Sequence, residues 1–277
     1  MTTKATVETI VSKSKNIWTI IVNRPSAKNA VDQVTANQLY KQFINFEKDK
    51  EAKVAILTSK GGVFCAGADL KQMNNKVLKP TMKVDDYGPM GPTRLQLRKP
   101  VLAAIEGYAV AGGLELACWA DMRICDTTAI FGVFCRRWGV PLVDGGTVRL
   151  PRLIGASRAM DMILTGREVD AQEALSIGLA NRVVPKGKSL EAATEIAEML
   201  CNFPNATMLA DRQSAIEQWS LSETGALNNE YELGHLVLDD AAQGAKRFAG
   251  GLGRGGSFGS FKSNSSGGGG DDRNSKL

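Results

Sequence analysis

An apolar run with one carboxylate inside it constrains this chain more than any other feature. Residues 109–120 read AVAGGLELACWA, with Glu115 in the middle and Gly112 and Gly113 just before it. Good helix formers follow Gly113, so Gly112 marks a helix start. The first backbone N–H groups of a helix have no internal partner. Together with the aligned peptide dipoles they attract negative charge, as would roughly half a unit charge at the N-terminus. Glycine lets a ligand come close to such backbone. The segment therefore sets an anion-binding N–H beside an ionisable oxygen in apolar surroundings. Burying a lone carboxylate is costly or shifts its pKa. Glu115 reads either as a working acid/base or as a structural carboxylate paired with an arginine or capped by backbone.

Composition narrows the chemistry. The 277 residues allow a sizeable core in one large domain or two small ones. The net charge of +5 is modest and its lysines and arginines are scattered, so neither nucleic acid nor a membrane surface is expected as a partner. A polyanionic small ligand suits the mild basicity. Five cysteines without a C-x-x-C pair read as free thiols of a reducing compartment. A single histidine, His235, rules out a His-rich metal site. No apolar run reaches membrane-spanning length. Residues 1–15 lack the apolar core of a secretory signal, and Glu8 without any arginine argues against a mitochondrial presequence.

Taken in order, residues 16–22 read as a strand ended by Asn23-Arg24-Pro25. Asp32 caps a predicted helix over 33–48 with Val34, Leu39, Phe43 and Phe46 on its apolar face. Strands are predicted at 53–58, 101–105, 122–125 and 129–131. Residues 64–71 read as a strand end, a small-residue loop and a short helix through Met73. The Pro- and Gly-containing stretch 74–98 reads as an irregular excursion, a lid or a plain surface loop, with a helix near 93–98. Residues 132–149 are rich in Gly and Arg. A short strand at 183–184 and helices at 157–164, 171–177, 190–202, 206–219, 222–238 and 240–248 complete an α/β chain with a helical C-terminal third. Residues 264–274 are linker-like.

Two N–H groups from separate loops aimed at one oxygen make an oxyanion hole. Gly112 supplies one candidate, and Ala68, in the small-residue loop after a strand, supplies the other.

Several stretches, in this order, resemble the crotonase superfamily of enoyl-CoA hydratases and isomerases. They are Asn23-Arg24-Pro25 with Lys28-Asn29-Ala30, then Phe64 to Lys71, then Ala111 to Ala117. Asp144-Gly145-Gly146-Thr147, Arg149-Leu150-Pro151, Leu164 to Arg167 and Asp170 to Pro185 continue the series, which spans 23–185. The resemblance implies a spiral of ββα units, here over 1–259 and helical from about 190; composition makes 260–277 a flexible Gly/Ser-rich tail. It also implies a helical trimerisation region and a homotrimer or homohexamer. It assigns Ala68 and Gly112 as donors to a thioester oxygen. Asp69, Leu70 and Lys71 continue a CoA-binding loop, with Lys71 near a phosphate, and Ala27 and Lys28 run along the pantetheine and adenine. No metal or redox cofactor is expected; coenzyme A is part of the substrate.

Glu115 matches the first of the two glutamates that hydratases of this family use. The second should fall at position 135, where this chain has Cys135 in Phe131-Gly132-Val133-Phe134-Cys135. A thiol, with an ordinary pKa of about 8.5, is a poor proton donor for that role unless Arg136 and Arg137 depress it. Asp144 reads either as the partner acid/base, as in family branches with a similar Asp-Gly-Gly, or as a structural carboxylate paired with Arg149 or capping a turn. Three functions follow: hydration of a 2-enoyl-CoA, double-bond isomerisation, or acyl-CoA binding with little activity. The last three residues, Ser275-Lys276-Leu277, match the peroxisomal import tripeptide. They imply a peroxisomal location and an import receptor as partner, and fit acyl-CoA breakdown.

Overall fold

A computed structural model describes residues 6–12, 15–73, 88–251 and 253. The predicted tail, its last three residues and most of the 74–98 excursion lie outside the described residues. The chain forms two compact units, residues 1–201 and 202–277.

The first unit is wound as a spiral. Its larger sheet contains β1 (Val7–Ser12), β2 (Ile17–Val22), β3 (Val54–Ser59), β4 (Val101–Ile105), β6 (Met122–Asp126) and β9 (Arg182–Val184), in the order β1-β2-β3-β4-β6-β9. Only β1 runs antiparallel to its neighbour. A smaller sheet holds β5 (Tyr108–Val110), β7 (Ile130–Gly132) and β8 (Val169–Asp170). Each turn passes from the large sheet to the small one and then, in the middle of the unit, into a helix. Thus β4 leads through β5 to α3 (Gly112–Trp119), and β6 leads through β7 toward α4 (Gly146–Ile154). Single bridges Val31↔Ala68 and Cys65↔Ala109 extend the small sheet's stacking to earlier turns. Successive turns therefore deliver Cys65, Ala109 and Phe131 side by side. This is the expected α/β spiral of ββα units.

Helices α1 (Gln33–Lys48) and α2 (Leu70–Met73) belong to the earlier turns. Asp32 caps α1 by accepting the Thr35 N–H at 2.7 Å. Ala36, Leu39, Phe43 and Phe46 are buried, whereas Val34 faces outward. Helices α5 (Ala156–Thr165), α6 (Ala171–Ser176) and α7 (Ser189–Asn202) complete the unit. The second unit is helical: α8 (Asn205–Glu217), α9 (Glu223–His235) and α10 (Leu238–Ala249).

Two expectations need correction. The helix predicted at 93–98 is one 3-10 turn, Pro92–Arg94. The Leu95 carbonyl is taken by the Trp119 indole N–H at 2.9 Å instead of by a helical amide. Conversely, α4 lies in the Gly- and Arg-rich stretch where no helix was expected; Gly145, at φ +96°, turns the chain so that Gly146 can start it.

The Asn23–Ala30 loop is organised around a fully buried amide. Asn29 accepts from Arg24 N at 2.8 Å and donates to the carbonyls of Lys60 (2.8 Å) and Val63 (2.6 Å). Arg24 in turn pairs with Asp32 and Asp69, both at 3.0 Å. Asn29→Ala is expected to cost about 2–3 kcal/mol by leaving buried groups unpaired, seen as a lower urea midpoint with an unchanged slope.

Candidate active site

Two unpartnered amides meet at one cavity. The Gly67 carbonyl accepts from Val31 N at 2.8 Å, and Asp69 N donates to the Val31 carbonyl at 2.9 Å. Across a trans peptide the N–H points opposite to the preceding carbonyl, so the Ala68 N–H faces away from Val31. Gly112 opens α3. The Ala111 carbonyl accepts from Leu114 and Glu115 at 3.0 and 3.2 Å, so the Gly112 N–H points out of the helix start. Among the described residues neither amide has a hydrogen-bond partner. The two segments touch: a Cβ on Gly113 would lie 2.1 Å from the Cys65 carbonyl oxygen, and one on Gly67 would lie 3.0 Å from Gly112 N. Both amides line a cavity of about 420 Å³, together with Glu115, Asp144 and Cys135. At its far end α3 is anchored by the buried Arg123, which donates to the carbonyls of Ala120 (2.8 Å) and Leu179 (2.6 Å).

Glu115 is 3% exposed. Its Oε1 accepts from the Asp144 and Gly146 backbone N–H groups, each at 2.8 Å, which places the carboxylate on the first turn of α4. Oε2 has no partner among the described residues. Burial, reinforced by the Asp144 charge, pushes the Glu115 pKa up to about 7, against the lowering pull of those two amides and Arg149. Of the two readings from sequence, capping by backbone holds for one oxygen, while the other stays available at the cavity.

Asp144 is equally buried, and its pKa is also raised by desolvation. Its Oδ1 accepts from Met90 N at 3.0 Å and from the Thr93 hydroxyl. Arg149 reaches the Asp144 carbonyl at 2.9 Å, so no carboxylate pair with Arg149 forms. Cys135 lines the cavity, but the lowering pull of Arg136 on its thiol is outweighed by burial and the Glu115 charge. Arg136 donates to the Ile163 carbonyl at 3.1 Å, and Arg137 to the Gly166 carbonyl at 2.8 Å while covering the Phe134 ring. Burial then dominates and the thiol's pKa is raised.

The structure separates the residues of the expected CoA-binding loop. Lys28 and Leu70 line the cavity. Asp69 is engaged in the Arg24 ion pair and accepts from Lys71 N at 3.2 Å. Lys71 is exposed, and neither it nor Ala27 lines the cavity. Met90 and Thr93 were not singled out from sequence. Their partner Asp144 lies more than fifty positions away, and nothing local marks the tie. Among the described residues no cluster of three or more His, Cys, Asp or Glu could hold a metal ion, and no helix is long and apolar enough to cross a membrane.

Comparison with known proteins agrees with this architecture. The chain is 34% identical over 255 residues to enoyl-CoA hydratase EchA19 of Mycobacterium tuberculosis, covering 88% of this chain and 96% of that protein. It is 36% identical over 244 residues to carnitinyl-CoA dehydratase of Proteus mirabilis, covering 84% and 92%. The crystal structure of an enoyl-CoA hydratase from M. tuberculosis H37Rv superposes with a TM-score of 0.81 at 32% identity, covering 88% and 96%. These relatives correct one expectation. They are bacterial, and bacteria have no peroxisomes, so the peroxisomal location and import receptor read from Ser275, Lys276 and Leu277 are not supported. The profile of the enoyl-CoA hydratase/isomerase family matches residues 12–249; the chain belongs to that family, within the crotonase superfamily.

Proposed function

We propose that this chain is an enoyl-CoA hydratase-like enzyme that adds water reversibly across the 2,3-double bond of a 2-enoyl-CoA thioester. The observation that carries this reading is the pair of free amides, Ala68 and Gly112, on the same cavity as the buried Glu115. As water adds at C3, charge builds on the thioester oxygen, and the two amides stabilise the resulting enolate. Glu115 Oε2 takes the proton that water loses. A proton returned to C2 by the Glu115–Asp144 pair completes the addition. A carboxylate with a pKa near 7 suits both directions of transfer at neutral pH. The names of the two relatives, a hydratase and a dehydratase, describe the two directions of this reaction.

On this reading Ala27, Lys28, Asp69, Leu70 and Lys71 flank the CoA moiety, and Cys135 is pocket lining without a proton-transfer role. The enzyme would act as a homotrimer or homohexamer in acyl-CoA metabolism. Exposed Tyr231, Leu236 and Phe248 on the second unit offer apolar surface for such assembly.

Parallel assays with a 2-enoyl-CoA and a 3-enoyl-CoA test the reaction. Loss of the conjugated enoyl absorbance with the first supports hydration, and gain of it with the second supports isomerisation. Turnover of neither, with tight binding of a saturated acyl-CoA, supports a binding protein instead. Asp144→Asn is expected to reduce hydration by about a hundredfold at every pH. Activity within a few-fold of wild type would leave Asp144 a purely structural role.

A further inference from the structure

The turn that follows the 74–87 segment is tied to the acid/base pair. Gly88 and Gly91 close it through reciprocal backbone hydrogen bonds of 2.9 and 2.8 Å. A Cβ on Gly88 would fall 2.5 Å from Asp144 Oδ1, so the turn lies directly against that carboxylate. Oδ1 receives the Met90 N–H at 3.0 Å and the Thr93 hydroxyl. Arg149 bridges the same elements, donating to the Thr93 carbonyl at 2.7 Å and the Asp144 carbonyl at 2.9 Å. Asp144 then passes the constraint on, because its own N–H holds Glu115 Oε1 at 2.8 Å. Met90, seated by the same bond, covers Gly112: a Cβ there would meet the Met90 sulfur at 2.6 Å.

We infer that Thr93 is a positioning residue: through Asp144 it fixes where Glu115 presents its free oxygen, and with it where Met90 packs against Gly112. The inference rests on the hydratase reading above. Thr93 is buried and lines no part of the cavity, so it acts only through its neighbours. One hydroxyl thus connects a substrate-side turn, the oxyanion donor and the proton-transfer group. A misplacement of about 1 Å at such a site costs about a hundredfold in rate.

The groups facing this arrangement are Glu115 and Cys118 on α3, Cys65 on the strand end before Ala68, Cys135 on a second 3-10 turn (Phe134–Trp138), Arg149 on α4, and Arg94 beside Asp144. The Thr93 hydroxyl favours the charged form of Asp144, and that charge raises the pKa of Glu115. Removing the hydroxyl lets Asp144 keep its proton to higher pH and lowers the pKa of Glu115.

Thr93→Val removes the hydroxyl at nearly constant volume, and Thr93→Ser restores it. For Thr93→Val we expect kcat for a 2-enoyl-CoA to fall about ten- to hundredfold, with KM and the Kd of a saturated acyl-CoA changed less than threefold. The acid limb of kcat/KM moves to lower pH, and Thr93→Ser restores rate and limb. A direct readout is the titration of Glu115 by carbon NMR, assigned by its loss in Glu115→Gln. Its midpoint falls in Thr93→Val and returns in Thr93→Ser. An unshifted midpoint, or a kcat equal to wild type, overturns the inference. Absence of enoyl-CoA turnover by the wild type refutes the hydratase reading alone, since the NMR midpoint still decides whether Thr93 governs Glu115.

Discussion

Glu115→Gln is expected to lower hydration by about 10²–10⁴-fold while leaving saturated acyl-CoA binding within a few-fold of wild type. Glutamine keeps an oxygen to accept from Asp144 N and Gly146 N, so the 2.8 Å contacts that seat the side chain survive. What it loses is the ability to take and return a proton. The Ala68 and Gly112 amides proposed to hold the thioester oxygen are untouched, so the defect is expected on kcat and not on binding. A variant with near-wild-type kcat would remove Glu115 from the mechanism.

The same substitution carries an opposite consequence for stability. The Glu115 pKa stands at about 7 in the fold against an ordinary 4.5, because burial and Asp144 disfavour its charge. The folded state therefore binds this proton more tightly than the unfolded chain. Its contribution to stability is complete below the ordinary value and is lost as pH rises through about 7. Glutamine does not titrate. Denaturant unfolding should find Glu115→Gln and wild type closest below pH 4.5, with the variant pulling ahead by about 3 kcal/mol above pH 7. A variant that is less active yet more stable at alkaline pH is the signature of a charge held for chemistry at the expense of the fold. An advantage that does not grow with pH would mean that Glu115 is not strained in the native state.

Local features of this chain were legible, and distant ties were not. Gly112 and Gly113 before good helix formers mark the start of α3, and Asp32 marks the start of α1, because each signal lies within a few residues of its effect. The partnership of Ala68 with Gly112 came from resemblance; spacing alone does not bring residues from two turns of a spiral together. Helix α4 was missed because Gly145, Gly146 and Pro151 are loop formers in isolation. Here Gly145 makes the entry turn, and Gly146 donates its N–H to Glu115. The arginines beside Cys135 looked able to activate it, but backbone carbonyls of a later segment claim them. The contacts of Asp144 with Met90 and Thr93 belong to the same long-range class.

Gly113→Ala should disrupt the site more than Gly112→Ala, although helix propensity alone favours alanine at both positions by about 1 kcal/mol. At residue 113 the added Cβ would lie 2.1 Å from the Cys65 carbonyl oxygen and 2.8 Å from its carbon. These are backbone atoms and cannot rotate away. Cys65 is fixed on both sides, donating to the Tyr108 carbonyl at 2.8 Å and accepting from Val110 N at 3.1 Å. Relief therefore shifts either α3 or the Cys65–Ala68 strand end by close to 1 Å, and each carries one of the two proposed oxyanion donors. Overpacking of this kind costs about 1–3 kcal/mol, and the misaligned amides should cost about a hundredfold in kcat/KM. At residue 112 the added Cβ meets the Met90 sulfur at 2.6 Å, the flexible end of an unbranched side chain that can move aside. Gly112→Ala should therefore keep its fold and lose less than about tenfold in kcat/KM, the N–H itself being retained. Unfolding midpoints and kcat/KM for the two variants measured side by side decide the matter. Equal tolerance at both positions would mean that the two loops are not in the contact that builds the oxyanion hole.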